Sequence, residues 1–327
     1  FVEGSFSSVK WVQDIMHAMR NCLHRKTVCR ARTLRTCKER KKKVMRFAPM
    51  KEILDLAEER KIAYGAFVTV SYETALAAIE AGSEIDCPVI FITGTDCCDL
   101  MGGFEGTVET VKRAMAHATV PVALHLDHCR TYEECVQAIQ AGYSSVMIDG
   151  SSLPFEENVA LTKKVVDYAH TLGITVEGEL GKLVGEEGDL IVKGPEAAQT
   201  DPQEAKEFVE RTGVDCLAVS IGTQHGHYIA APHLNIERLK AIKEVVDVPL
   251  VLHGGSGTPL DQVQEAIRCG IRKINVATDV LTAVADSFET LKKQPGFKYN
   301  TAMFINSKNT AKEFIKGKMK DFRFENE

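Results

Sequence analysis

Apolar residues along the chain fall into short runs that alternate with longer stretches of helical period. The short runs predict strands, and the periodic stretches predict amphipathic helices. Eight strands are predicted, at 63–70, 88–93, 121–126, 144–148, 175–179, 216–220, 249–253 and 273–276. Nine helices are predicted, at 50–60, 72–81, 107–117, 132–141, 156–172, 202–212, 235–246, 260–269 and 281–291.

This alternation predicts an α/β fold, a single closed (β/α)8 barrel of the TIM type. Strands that alternate with helices form a parallel sheet covered by helices, and eight units in roughly 250 residues match the size of such a barrel. The alternative is a doubly wound sheet, which would place a glycine-rich phosphate turn after its first strand. Gly65-Ala66-Phe67 does not supply that turn.

The first part of the chain differs from the rest in charge. Residues 1–46 carry 13 Lys and Arg against three acidic residues, a formal +10, which leaves −15 for the remainder of a chain whose net charge is −5. We therefore expect residues 1–44 to be a basic extension, disordered or absent from the functional protein, and residues 45–327 to form the barrel with a C-terminal helical tail. An Arg-rich, acid-poor head also fits an organelle transit sequence or a nucleic-acid arm.

The cysteine spacing and the hydropathy of the chain indicate its cellular compartment. The ten cysteines show no CxxC spacing, which indicates free thiols in a reducing compartment. No apolar run approaches the length of a membrane span. We therefore predict a cytoplasmic protein with no membrane partner; import into an organelle through residues 1–44 is the alternative.

Histidines stand at the ends of three predicted strands. His128, His225 and His253 lie where a barrel places its active site, and three neutral imidazoles can hold a zinc ion with an open coordination position. His125 and His227 compete for the same role, and we assign His125 a supporting one. The plainer alternative is that each histidine only makes hydrogen bonds at a strand end.

Two carboxylates occupy further strand ends. Asp149 and Glu179 could orient metal-bound histidines by hydrogen bonds or hold the metal in a second position. Alternatively, each could cap the next helix or pair with a lysine. The sequence leaves these alternatives open.

The seventh and eighth predicted strands are followed by small and glycine-rich residues. TIM barrels commonly bind phosphate after these strands, through backbone N–H groups and hydroxyls at a helix start. Gly254 lets the backbone approach an anion, Ser256 and Thr278 offer hydroxyls, and Asn275 offers an amide. The two turns together predict a phosphate site.

In combination, these motifs resemble the class II, zinc-dependent ketose-bisphosphate aldolases. The resemblance covers about residues 45–291 and rests on six segments in order: LHLDHC (124–129), SSVMIDGSSLPFEEN (144–158), VEGELG (176–181), IGTQHGHY (221–228), LVLHGGSG (250–257) and KINVATD (273–279). It implies an aldolase of carbohydrate metabolism that reversibly cleaves a tagatose- or fructose-type ketose 1,6-bisphosphate, or a ketose 1-phosphate. The products would be dihydroxyacetone phosphate and an aldehyde.

The resemblance also implies roles for particular residues. Asp127 would be the catalytic acid and base, and Glu187, in the loop 181–190, would exchange the proton on the nucleophilic carbon. A zinc ion, with a monovalent Na⁺ or K⁺ nearby, and a homodimer or homotetramer are usual for the family. The implied metal ligands are His128, His225 and His253, with Asp149 and Glu179 at an alternate position. The implied phosphate ligands are Gly226, Gly254, Ser256, Asn275 and Thr278.

Several positions depart from the pattern of the family, and two of them bear on the substrate. The bisphosphate enzymes tend to carry Arg or Lys shortly after the eighth strand, where this chain has Leu281, and Ala277 is similar to the tagatose type. Leu281 cannot pair with an anion, so we hypothesise that the aldehyde product is uncharged. Within the family, the aldolase of inositol breakdown is the alternative. An alternative from a different functional class is a non-catalytic relative that binds sugar phosphate or RNA. The intact Asp127 and the complete set of three histidines argue against lost catalysis, and we do not expect a nucleic-acid partner.

Overall fold

Ten strands are assigned in the computed structural model, which describes residues 46–181, 185–187, 190–192, 199–223, 232–298 and 301–326. They are β1 (Tyr64–Val68), β2 (Val89–Thr93), β3 (Val122–Cys129), β4 (Ser145–Ile148), β5 (Thr175–Leu180), β6 (Gly185–Glu187), β7 (Leu190–Val192), β8 (Cys216–Val219), β9 (Leu250–Leu252) and β10 (Ile271–Val276). The prediction of eight barrel strands is confirmed. All except β6 and β7 pair in parallel with their neighbours, and β10 pairs with β1 to close the barrel.

Helices alternate with these strands along the chain. They are α1 (Met50–Arg60), α2 (Tyr72–Glu84), α3 (Thr95–Leu100), α4 (Gly103–Ala114), α5 (Tyr132–Ala141), α6 (Phe155–His170), α7 (Pro202–Thr212), α8 (Ile236–Val245), α9 (Leu260–Arg268), α10 (Thr278–Lys292) and α11 (Ala302–Asp321). Residues 47–327 form one compact unit. The predicted basic extension, together with His225 and Gly226, lies outside the described residues.

Helix α1 lies across the N-terminal end of the barrel. The Ala48 N–H donates to the carbonyl of Val122, the first residue of β3, and the Lys51 N–H donates to Oγ1 of Thr175, the first residue of β5. The helix buries four residues of one face against the barrel: Met50, Ile53, Leu54 and Ala57. This end of the barrel is therefore closed by apolar packing.

Helix α11 returns to the beginning of the barrel. It packs chiefly against α2 and α10, and the Ala63 N–H, just before β1, donates to the carbonyl of Phe322 at 3.1 Å. Lys312 and Lys316 both pair with Glu84 at the end of α2, at 2.8 and 3.0 Å. The last described helix thus covers the first strand–helix unit.

Three elements go beyond what the sequence predicted. The short helix α3 follows β2 directly. Strands β6 and β7 pair antiparallel; β6 lies in the segment predicted as a loop at 181–190, and β7 continues past its end to Val192. No helix among the described residues combines the length and apolarity needed to cross a membrane.

Candidate active site

Three barrel strands each carry two polar residues, two positions apart, that point into the barrel. Since strand side chains alternate with a period of two, such pairs form two layers. The lower layer consists of His125, Glu177 and Lys273, and the upper layer, nearer the C-terminal strand ends, of Asp127, Glu179 and Asn275. All six side chains are buried.

A hydrogen-bonded ion pair crosses the lower layer. Lys273 Nζ donates to Oε2 of Glu177 at 2.9 Å, and Oε1 of the same carboxylate accepts from Nε2 of His253 at 2.8 Å. His125 Nδ1 bonds to the Ser145 hydroxyl at 2.7 Å, and its Nε2 lies 3.6 Å from Glu177 Oε2. These contacts join strands β3, β4, β5 and β10 to the strand end that carries His253.

The lower layer has shifted pKa values. Burial opposes ionisation of Glu177, but the ammonium of Lys273 and the neighbouring imidazoles together outweigh it and hold the pKa of this carboxyl below its usual value. Burial, together with the same ammonium, lowers the pKa of His125 well below its usual range, so His125 is neutral at pH 7. The charged pair in this layer is therefore Lys273 and Glu177.

The upper layer places a carboxylate beside two imidazoles. The amide nitrogen of Asn275 lies 3.1 Å from both carboxylate oxygens of Asp127 and donates to them. Oδ2 of Asp127 is 3.8 Å from His128 Nε2, and Oε2 of Glu179 lies 3.8 Å from His128 Nδ1 and 3.7 Å from His253 Nδ1. Asp127, His128 and His253, each predicted from a strand end, meet at one point.

A β-bulge turns His128 toward this point. Leu126 pairs with Val146 and Cys129 with Ile148, so three steps along β3 match two along β4, and His128 has a φ of 48°. Strict alternation along β3 would place His128 on the opposite side of the strand from Asp127. The extra residue instead lets both neighbours face the site.

The donor set suits a metal ion. Two groups of three ligand atoms share His128, and within each group the atoms lie within 4.8 Å of one another: Asp127, His128 and His253, and His128, Asp149 and Glu179. Imidazole nitrogens with carboxylate oxygens are ligands that zinc accepts. Burial opposes ionisation of Asp149, but the His128 imidazole and the Ser151 hydroxyl and N–H outweigh it, and the pKa of this carboxyl lies well below its usual range.

The predicted phosphate turns lie together at the next strand ends. The Gly255 N–H donates to the Asn275 carbonyl at 3.0 Å, and the Asp279 N–H donates to Oγ of Ser256 at 3.1 Å. A Cβ on Gly255 would lie 2.5 Å from Ile274 Cγ2, so glycine is required there. Ser256 and Thr278 therefore lie together at the start of α10, next to the turn that carries Gly254. Asn275 instead donates to Asp127, and its phosphate role stays a prediction.

A cavity of about 480 Å³ opens over Asp127 and His128. Its apolar lining comes from the ends of β1 and β2 and from Ala277. Asp96, Glu134 and Arg130 are the charged residues at its edge, besides Asp127. This space is where a substrate would contact the carboxylate.

Glu177 and Lys273 are not among the residues predicted from the sequence. Asp149 and Glu179 were predicted as groups that could orient the metal ligands, whereas Glu177 makes the hydrogen bond to His253. A lysine and a glutamate in the middle of predicted buried strands must be paired, and that was the available signal. Glu187 ends strand β6, but its side chain lies outside what the structure describes.

A closed barrel with imidazoles and carboxylates converging at its C-terminal end has the form of a metal-assisted barrel enzyme. The class II fructose-bisphosphate aldolase family matches residues 48–327. The fructose-bisphosphate aldolase of Geobacillus stearothermophilus is 42% identical over 282 residues, covering 85% of this chain and 97% of that protein. That of Staphylococcus aureus (strain N315) is 41% identical over 281 residues, covering 85% of this chain and 98% of that protein.

Among solved structures, the YdjI aldolase from Escherichia coli K12 superimposes with a TM-score of 0.74 at 36% identity. The match covers 84% of this chain and 97% of that one. The chain therefore belongs to the class II fructose-bisphosphate aldolase family. It is an aldolase, a carbon–carbon lyase, of a class that uses zinc.

Proposed function

We propose that this protein cleaves a ketose 1-phosphate or 1,6-bisphosphate, with bound zinc, into dihydroxyacetone phosphate and an aldehyde. The observation that carries the proposal is Asp127, whose carboxylate lies between His128 and the Asn275 amide and opens into the cavity. His128 and His253, with His225 as predicted, would hold the zinc. The ion would act as a Lewis acid that stabilises negative charge on the substrate C2 oxygen.

Asp127 takes the proton from the C4 hydroxyl in the cleavage direction. The C4–O bond becomes a carbonyl, the C3–C4 bond breaks, and its electron pair moves toward the C2 oxygen. The Asn275 amide, 3.1 Å from both Asp127 oxygens, holds the carboxylate in place for this transfer. Glu187 is proposed to return a proton to C3, which balances the reaction.

The phosphate of the dihydroxyacetone half is proposed to bind at the start of α10. Backbone N–H groups at a helix start attract anions, and the Ser256 hydroxyl lies 3.1 Å from the Asp279 N–H in this turn. Gly226 lies in a segment that the structure does not describe, and it stays a predicted ligand, as do the monovalent cation and the homo-oligomer.

The distal end of the substrate is proposed to be uncharged. Leu281 lies in the first turn of α10 with 40% of its surface exposed and offers no positive charge. The charged lining described around the cavity contains more carboxylates than cations, since Asp96 and Glu134 accompany Arg130. The relatives are named for a bisphosphate, so the distal phosphate is the point to test.

The experiment is a substrate panel assayed with zinc and after chelation. It contains fructose and tagatose 1,6-bisphosphates, the corresponding 1-phosphates and a phosphorylated keto acid, with dihydroxyacetone phosphate read by coupled reduction. Zinc-dependent release from a 1-phosphate at a kcat/KM at least equal to that of the bisphosphate supports the proposal. A strong preference for a bisphosphate that Arg130→Met removes would assign the distal phosphate to Arg130 and contradict the uncharged end.

A further inference from the structure

We propose that Lys273 is a positioning residue that, through Glu177, fixes which nitrogen of His253 faces the metal. The inference rests on the proposed zinc site for its consequence, but its geometry is independent of any ion. Lys273 is fully buried inside the barrel and is not among the residues that line the described cavity.

The contacts of Glu177 determine which ring nitrogen of His253 carries the proton. An ionised carboxylate only accepts hydrogen bonds, so His253 Nε2, 2.8 Å from Oε1, must carry the ring proton. In a neutral imidazole the lone pair then lies on Nδ1, the atom 3.7 Å from Glu179 in the upper layer. The carboxylate thus selects the tautomer that presents a metal-binding lone pair to the site.

Lys273 holds that carboxylate in place. Its Nζ donates to the other oxygen, Oε2, at 2.9 Å, and both side chains are completely buried. The same oxygen has a competing neighbour, His125 Nε2, 3.6 Å away. Without Lys273, we expect Glu177 to turn toward His125 and to release His253.

The neighbouring residue supplies a matched control. Arg272 is also a buried cation on β10, but it faces the other side of the strand, where it pairs with Glu58 at 2.7 Å and donates to the carbonyls of Ile267 and Ile271. Arg272→Met removes a positive charge from the same strand without touching the Glu177 network.

The experiment compares Lys273→Met and Arg272→Met with the wild type in two measurements. The first is the Kd for zinc, obtained by chelator competition. The second is the ¹⁵N–¹H correlation pattern of the His253 ring in the metal-free protein, assigned with His253→Asn. We expect Lys273→Met to weaken zinc binding by about 10–100-fold and to lose the Nε2–H tautomer, while Arg272→Met keeps both.

A third variant distinguishes loss of the Lys273 contact from misfolding caused by an unpaired buried charge. Glu177→Gln/Lys273→Met removes both charges together, and the amide oxygen of the glutamine can still accept from His253 Nε2. We expect it to fold and to recover the tautomer and most of the zinc affinity.

Several results would overturn the inference. Unchanged zinc affinity and an unchanged tautomer in Lys273→Met would do so, as would an equal loss in Arg272→Met or failure of the double variant to recover the tautomer. If the wild type itself bound no zinc, the proposed function would fail, whereas the tautomer measurement would still decide the role of Lys273.

Discussion

The N-terminal end of the barrel is closed by helix α1, which buries Met50, Ile53 and Leu54. The C-terminal end buries carboxylates and imidazoles instead, among them Asp127 and Glu179. The stability gained from apolar burial does not depend on a bound ion, whereas clustered carboxylates repel one another and are stabilised by a bound cation. The two ends of one sheet therefore respond to different changes.

The largest effect is expected at the C-terminal end. Asp127→Asn keeps the shape of the side chain but removes the proton acceptor, so kcat should fall by about 10²–10⁴-fold. Denaturant unfolding should show stability close to that of the wild type, because Asn275 can still donate to the remaining oxygen. A kcat within tenfold of the wild type would show that another group accepts the proton.

At the N-terminal end, Leu54→Ala should lower the stability of the fold and leave activity unchanged. Leu54 is completely buried in α1, so its truncation should lower the free energy of unfolding by about 2–5 kcal/mol. KM and kcat should not change at temperatures where the variant is folded. Glu59→Ala, at an exposed position of the same helix, is the control and should stay within about 0.5 kcal/mol. A raised KM in Leu54→Ala would show that the two ends are coupled.

Removal of zinc should affect stability and activity together. At a zinc concentration 100 times the Kd, linkage contributes about 2.7 kcal/mol, so chelation should lower Tm by roughly 4–5 °C and abolish activity. Zinc should restore both, whereas calcium, which prefers oxygen ligands, should not. A Tm that does not depend on chelation would argue against a metal bridging the C-terminal strand ends.

Gly255→Ala should give a smaller effect, localised to the phosphate turn. The new Cβ would meet Ile274 Cγ2 at 2.5 Å and the Asn275 carbonyl oxygen at 2.8 Å, which we expect to cost about 1–3 kcal/mol and to raise KM. Gly317→Ala, which meets nothing within 4 Å in helix α11, is the control and should be neutral or slightly stabilising. A KM equal to that of the wild type would place the phosphate elsewhere.

The smallest effect concerns the distal end of the substrate. Leu281→Arg should raise kcat/KM for a bisphosphate relative to the 1-phosphate by about tenfold, or ~1.4 kcal/mol, as expected for one charge-assisted hydrogen bond. Leu281→Met is the control for side-chain length without charge. An unchanged ratio in Leu281→Arg would mean that this turn does not reach the distal group.

Local signals predicted much of the fold. The bounds predicted for α5 and α7 match the structure because each helix has a side-chain cap at its start, from Thr131 and Asp201, and a glycine at its end, Gly142 and Gly213. Strand β3 was predicted to end at position 126, but it continues to Cys129. The polar residues Asp127 and His128 interrupt the apolar run, although the backbone of β3 remains paired with β4 as far as Cys129.

The candidate site was predictable only in part. Histidines and carboxylates at strand ends indicated where the chemistry lies, since parallel strands end at one edge of a barrel. The bulge at His128 and the pairing of Glu177 with Lys273, 96 residues apart, depend on contacts between distant strands. No spacing within a motif encodes such contacts.

The return of α11 to the first strands has a consequence for synthesis on the ribosome. Lys308 contacts Glu80 in α2 although 228 residues separate them, and β1 obtains one of its two neighbours only when β10 is made. At about 5–20 residues per second, the nascent chain would hold β1 and α2 without these partners for roughly 10–50 s. During that interval, the apolar surface of the first strand–helix unit that β10 and α11 later cover is open to chaperones.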